Sequence, residues 1–326
     1  GEGYVYISRE QALVVTDSRY TIAATAECLD FEVITWKSGT YYKILGDALR
    51  RDQAEKIGVE DLHMTVKDYM KLRAALEKQA LANVEVKYLG ELVTRYRQIK
   101  TEDEIRKIRE AEAIGDRAFA KLCRKLKAGM TEKKVAALLE YYMKEEGAEG
   151  FSFDTIAASG LHSAMPHAVP TDKVLEPGDF LTMDFGCLHE GYCSDMTRTV
   201  VIGKADEEQK KVYETVLFAQ QTALSKLHAG MTGKEIDALA RDVITDAGYG
   251  EYFGHSLGHS VGLEIHEKPC FSPGENTVIQ PGMVISVEPG IYIENFGGVR
   301  IEDLVVVTED GCENLSSSPK ELMEIE

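Results

Sequence analysis

The segment KLHAGMTGKEIDALA at 226–240 nearly repeats KLKAGMTEKKVAALL at 125–139, with nine of fifteen positions identical at an offset of 101 residues. In both copies Gly-Met-Thr precedes apolar residues at helical spacing, which makes Thr131 and Thr232 the expected N-caps of two related helices. The parallel continues downstream. PHAVP (166–170) matches IHEKP (265–269) and sets His167 opposite His266, while PGDFLTMDFG (177–186) matches PGMVISVEPG (281–290) and sets Asp184 opposite Glu288. SDMTRTVVI then supplies Asp195, and VRIEDLVVV supplies Glu302. Each half reads as helix, His-x-x-Pro, strand with one acid, second strand with another acid. Two such halves folded about a pseudo-twofold axis bring four carboxylates to one central point.

Such a duplication could be architectural, with the acids solvated at strand ends. Against that, Asp184 lies in FLTMDFG and Glu288 in MVISVEPG, both strongly apolar and without an adjacent basic residue. A carboxylate inside such a strand is expensive unless it is paired, protonated or bound to metal. FGHSLGHSVGLEIHE (253–267) adds three of the eight histidines, His255, His259 and His266, threaded with Gly254, Gly258 and Gly262. That pattern points to backbone shaped closely around a site, and its spacing is not the HExxH of a helical zinc protease. Four carboxylates with one imidazole suit hard divalent ions such as Mn²⁺ better than a Cys-based zinc site. Two ions about 3.5–4 Å apart need bridging carboxylates, and such a pair lowers the pKa of a shared water towards neutrality. The implied reaction is hydrolysis.

A length of 326 residues predicts two domains. Residues 4–89 read as short strands alternating with helices, including TVKDYMKLRAALEKQ at 65–79, and Thr101 with Glu104 forms a capping box that starts a long helix. The boundary is expected near residue 98. The net charge of −18 argues against nucleic-acid or anionic membrane partners. No apolar run approaches the roughly 18 residues that span a bilayer. The six cysteines are scattered without a CxxC pair, which reads as reduced thiols in a cytoplasmic protein. No signal peptide is visible, although the sequence starts with Gly rather than Met, so an N-terminal piece is expected to be missing.

MDFG, SDMTRT, GHSLGHSVGLEIHE, VEPG and VRIED, in this order within about residues 92–310, resemble the pattern of the pita-bread metallopeptidases: aminopeptidase P, prolidase, creatinase and methionine aminopeptidase. The TDSRY-bearing N-terminal part resembles a shortened form of the domain that precedes the catalytic one in aminopeptidase P, prolidase and creatinase, lacking its first strand and helix. The resemblance implies an α/β (α+β) protein with a creatinase-like domain over 1–98 and a catalytic pita-bread domain, built of duplicated αβ halves, over 99–326. It implies metal ligation by Asp184, Asp195, His259, Glu288 and Glu302, with Asp195 and Glu302 bridging two ions, Asp184 on one ion, and His259 and Glu288 on the other. His167 then lies near the scissile peptide, His266 bonds the substrate or its tetrahedral intermediate, and Glu288 joins them in catalysis. His255, Tyr292 and Arg300 line a proline pocket; for Arg300 the competing view is a surface or structural ion pair.

The implied activity is hydrolysis of the bond between an N-terminal residue and proline, as an Xaa-Pro aminopeptidase or Xaa-Pro dipeptidase, by a cytoplasmic homodimer with two divalent ions per chain. Mn²⁺ leads, with Co²⁺ or Zn²⁺ as alternatives. A complete ligand set disfavours creatinase, and the N-terminal domain disfavours a methionine aminopeptidase. The ligands together with His167 and His266 disfavour a non-catalytic peptide- or protein-binding module.

Overall fold

A computed structural model describes residues 3–326, which form two compact units that divide between Val93 and Thr94. The first contains β1 (Gly3–Ile7), β2 (Ala12–Thr16), α1 (Thr21–Glu27), β3 (Glu32–Thr35), α2 (Tyr41–Arg51), β4 (Lys56–Val59), α3 (Val66–Lys78) and β5 (Glu85–Tyr88). β1 and β2 pair antiparallel, β3 adds parallel to β2, and β4 and β5 pair parallel. Leu45 and Leu49 of α2 and Leu72 and Leu76 of α3 share a core with Leu13 and Val15. The first two residues of the sequence lie outside the described residues.

After α4 (Leu92–Gln98), the second unit opens with α5 (Glu102–Cys123), which starts at the Thr101–Glu104 capping box as expected. α6 (Glu132–Glu145), β6 (Gly150–Phe151), β7 (Ile156–Ser159), β8 (Phe180–Phe185), β9 (Cys187–His189), β10 (Tyr192–Cys193) and β11 (Met196–Ile202) complete the first half. The second half holds α7 (Glu207–Lys226), α8 (Gly233–Asp246), β12 (Gly258–Ser260), β13 (Glu267–Phe271), β14 (Val284–Val287), β15 (Gly290–Ile293), β16 (Gly297–Arg300), β17 (Asp303–Val307) and β18 (Cys312–Asn314), and the C-terminal β19 (Glu324–Ile325) returns to run parallel with β11. No helix among the described residues is long and apolar enough to cross a membrane.

The repeat in the sequence is a repeat in space. Thr131 and Thr232 cap α6 and α8 by accepting from the backbone N–H of Lys134 and Glu235. Gly129 and Gly230 both take positive φ, 88° and 93°, and donate to Leu175 and Ile279 respectively. This left-handed turn is one that glycine adopts without a side-chain clash. Thr131 bridges Val174 just as Thr232 bridges Val278. Each half then pairs two antiparallel strands, β8 with β11 and β14 with β17. Each also packs its own core: Phe119, Leu139, Leu181 and Met183 in one, Val216, Ile236, Ile285 and Val305 in the other. Helix pairs thus back sheets whose acid-bearing ends converge.

Candidate metal centre

The acids occupy matched positions of the strands. Asp184 lies within β8, facing Thr197 across the ladder. Asp195 immediately precedes β11, Glu288 immediately follows β14, and Glu302 sits between β16 and β17. All four are largely withdrawn from water, with Glu302 only 1% exposed. His259 comes from the short strand β12, where glycine is needed because a Cβ on Gly258 would lie 1.8 Å from the Ser286 carbonyl oxygen. His259 Nε2 lies 3.4 Å from Asp195 Oδ2 and 3.5 Å from Glu288 Oε1. Asp195, His259 and Glu302 each offer one ligand atom within 4.8 Å of the others.

Concentrating carboxylates in a buried space disfavours their ionised forms. Burial, then Glu302, Asp184 and Glu288, raise the Asp195 carboxyl well above the usual range. Glu302 is raised in the same way by burial and by Glu288 and Asp184, and burial pushes Glu288 up to about 7 against the pull of Arg300. Burial lowers His259, which favours the neutral, ligating imidazole. Asp184 Oδ1 and Glu302 Oε1 are buried without a hydrogen-bond partner. Buried carboxylate oxygens left bare are costly. The donor set of four carboxylates and one neutral imidazole therefore fits divalent cations, whose charge would satisfy these oxygens and return the acids to their anionic forms.

Neighbouring side chains aim the acids. Thr197 Oγ1 donates to Glu302 Oε2 at 2.7 Å, and Ser286 Oγ donates to Glu288 Oε1 at 3.1 Å. Fully buried Glu112 of α5 accepts from the Asp195 backbone N–H, and burial raises its carboxyl to about 8. Arg198 donates to the carbonyl of Glu302 and to Asp303. Asp303 also receives Lys320, Gln220 and Asn314. Sequence reading missed these supports. The signal for Thr197 was present, because it lies two residues from Asp195 and shares its strand face.

A cavity of about 440 Å³ is lined by Pro166, His167, Glu251, Tyr252, Gly254, His255 and Tyr292. Three of these, His167, His255 and Tyr292, were singled out in the sequence; Glu251 and Tyr252 were not. His255 Nε2 and the Tyr292 hydroxyl are 3.0 Å apart. Burial, with help from Arg300, lowers His255 to about 4, while burial pushes the Tyr292 hydroxyl up to about 12. His266 stacks edge-on against His259, with ring centroids 4.5 Å apart. Arg300 bonds two of the residues that line this cavity, Tyr292 and Pro166, and also forms an ion pair with Asp184. It is 3% exposed and fully engaged, donating to Asp184 Oδ2 at 2.6 Å, the Tyr292 hydroxyl at 2.6 Å, Thr197 Oγ1 and the Pro166 carbonyl. The absence of a basic neighbour beside Asp184 holds along the chain but not in space.

Two family models match the chain: metallopeptidase family M24 over residues 106–309 and the creatinase/prolidase N-terminal domain over residues 1–99. The Xaa-Pro dipeptidase of Pyrococcus furiosus is 42% identical over 325 residues, covering 99% of this chain and 89% of that protein. Among solved structures, an X-Pro aminopeptidase from Thermotoga maritima superposes with a TM-score of 0.93 at 42% identity, covering 99% of this chain and 90% of its own. An Xaa-Pro dipeptidase from Bacillus anthracis gives 0.95 at 42% identity, covering 99% and 89%. The duplicated halves, the buried cluster of acids and these matches agree that the chain belongs to metallopeptidase family M24 and carries a creatinase/prolidase-type N-terminal domain.

Proposed function

We propose that this protein is a metallo-exopeptidase that hydrolyses the bond between an N-terminal residue and proline, as an Xaa-Pro aminopeptidase or Xaa-Pro dipeptidase. The observation that carries it is the buried convergence of Asp184, Asp195, His259 and Glu302, two of whose oxygens lack any partner, together with relatives that are Xaa-Pro peptidases at about 42% identity. Asp184, Asp195, His259, Glu288 and Glu302 would hold two divalent ions, Mn²⁺ first and Co²⁺ or Zn²⁺ as alternatives, with Asp195 and Glu302 shared. Such ions supply Lewis acidity and lower the pKa of water.

The remaining chemistry falls to the chain. An amide before proline has no N–H to offer, so recognition rests on the ring's shape and on a proton for the leaving nitrogen. His255 and Tyr292, locked together, form one wall for that ring. His167, at the cavity wall, and His266, beside His259, would donate hydrogen bonds to the carbonyl oxygen as it gains charge; their positions support this reading. Glu288, between His259 and Ser286, serves as ligand and as a proton acceptor. A division at residues 98 and 99, a homodimer and a cytoplasmic setting complete the proposal. The test is hydrolysis of Ala-Pro, Ala-Pro-Ala and Met-Ala-Ser by Mn²⁺-loaded protein. Cleavage of either proline peptide supports it, and preference between them assigns dipeptidase or aminopeptidase. Cleavage of the methionyl peptide alone, or of none with any metal, overturns it.

A further inference from the structure

Glu132 is the first residue of α6 and a carboxylate with no exposed surface. Five donors converge on it. Ser159 gives its backbone N–H at 2.7 Å and its hydroxyl at 2.9 Å; Thr171 gives its N–H at 3.0 Å and its hydroxyl at 2.7 Å; His162 Nδ1 lies 2.9 Å from Oε2. Burial acts to raise this carboxyl, and the donors from Thr171, Ser159 and His162 outweigh it and hold it low. Lys173 reinforces one foot by donating to Ser159 Oγ at 3.0 Å while pairing with Asp179 at 2.6 Å.

Ser159 and Thr171 are the two ends of one excursion. Between them the chain makes the 3₁₀ turn Gly160–Ala164 and then presents Pro166 and His167 to the cavity. From its far side the excursion is held by β16: Gly298 N–H donates to Ser163 Oγ at 2.8 Å, and Arg300 donates to the Pro166 carbonyl. A loop closed at both ends by one buried, charge-assisted cluster loses little of its geometry to thermal motion.

The duplication shows that this is not a generic feature of the fold. The position that matches Glu132 in the second half is Gly233, where a Cβ would lie 2.3 Å from the Cys270 carbonyl oxygen and press on Glu275. The carboxylate cluster near the histidine of that half is built differently. Glu267, next to His266, pairs with Arg97 and with buried Lys100 at 3.1 Å.

We propose that Glu132 is a positioning residue for His167, clasping both ends of residues 159–171 so that the imidazole is held at the productive place on the cavity wall. It touches neither substrate nor ligand and acts only through that loop. The inference rests on the role given to His167 above, and a double-mutant cycle separates the two. Kcat, KM and bound metal are measured on a proline peptide for Glu132→Gln, His167→Ala and the double variant. Glu132→Gln keeps the shape but turns an amide N–H₂ towards the donors. The expected result is full metal content, KM within about threefold, and kcat down roughly 10- to 100-fold, the scale of an ångström-sized misplacement. In the His167→Ala background the same change should cost less than about twofold, because there is no imidazole left to position. Equal losses in both backgrounds, or an unchanged kcat in Glu132→Gln, overturn the proposal. An unimpaired His167→Ala variant sinks the role of His167 and this inference with it. Should Glu132→Gln fail to fold, Thr171→Val removes one hydroxyl from the clasp, and its loss must likewise vanish without His167.

Discussion

The guanidinium of Arg300 donates to Asp184 Oδ2 at 2.6 Å and, through its other nitrogen, to the Tyr292 hydroxyl at 2.6 Å. One buried cation thus ties the acid cluster to the cavity wall. Its planar fork serves four acceptors at once, which an ammonium cannot copy. Arg300→Lys should leave the Pro166 carbonyl, the Tyr292 hydroxyl or Thr197 short of a partner, at about 1–3 kcal/mol of stability. Denaturant unfolding of the metal-loaded variant measures this, and a midpoint equal to wild type would show that the fork is dispensable.

Tyr292 should matter through its ring and, separately, through its hydroxyl. Tyr292→Ala removes the wall that faces His255, and kcat/KM on proline peptides should fall roughly 10- to 100-fold with metal content unchanged. Tyr292→Phe keeps the ring and loses only the bonds to His255 and Arg300, so most selectivity should survive. Equal losses on proline and non-proline peptides would move Tyr292 from selectivity to catalysis or folding.

His266 packs edge-on against His259, with ring centroids 4.5 Å apart. His266→Ala should retain its metal and lose activity mainly in kcat, the signature of a contact made in the transition state. A variant that loses metal instead would make the residue a ligand.

Burial and Arg300 hold His255 at about 4, below its ordinary 6.5. Between those values the unfolded chain binds a proton that the folded one does not, so stability falls as pH drops. The contribution is complete above pH 6.5 and shrinks towards pH 4 by at most about 3 kcal/mol. His255→Asn has no such group, so unfolding free energies of the two proteins should diverge in slope across this window. Parallel curves would mean that His255 is protonated in the folded state.

Local signals were legible in the sequence, and the repeat made the long-range ones legible too. Thr131, Thr232 and the Thr101–Glu104 box are read from a few adjacent residues, because an N-cap satisfies donors within its own first turn. Asp184 with Glu288, and His167 with His266, emerged because two copies of one pattern must meet across their shared axis. What stayed hidden joins residues far apart in the chain, one from each half. Arg300 is 116 positions from Asp184, and Ser316 is 204 from Glu112. Glu132 lies in the first turn of α6, where an acid is favourable at any helix start. Its mismatch with Gly233 in the repeat was the sole trace of its separate task. The bond from Arg300 to Asp184 shows only in space, because spacing places a residue on a strand but does not say which buried anion lies beside it.

If the buried carboxylates hold a pair of divalent ions, metal stoichiometry will show it. After loading with Mn²⁺ and removal of free metal, elemental analysis should find two ions per wild-type chain. Asp195→Asn, which keeps the side chain's size but removes a shared anionic oxygen, should fall below one. One ion or none in the wild-type protein, or two tightly bound in Asp195→Asn, would contradict it.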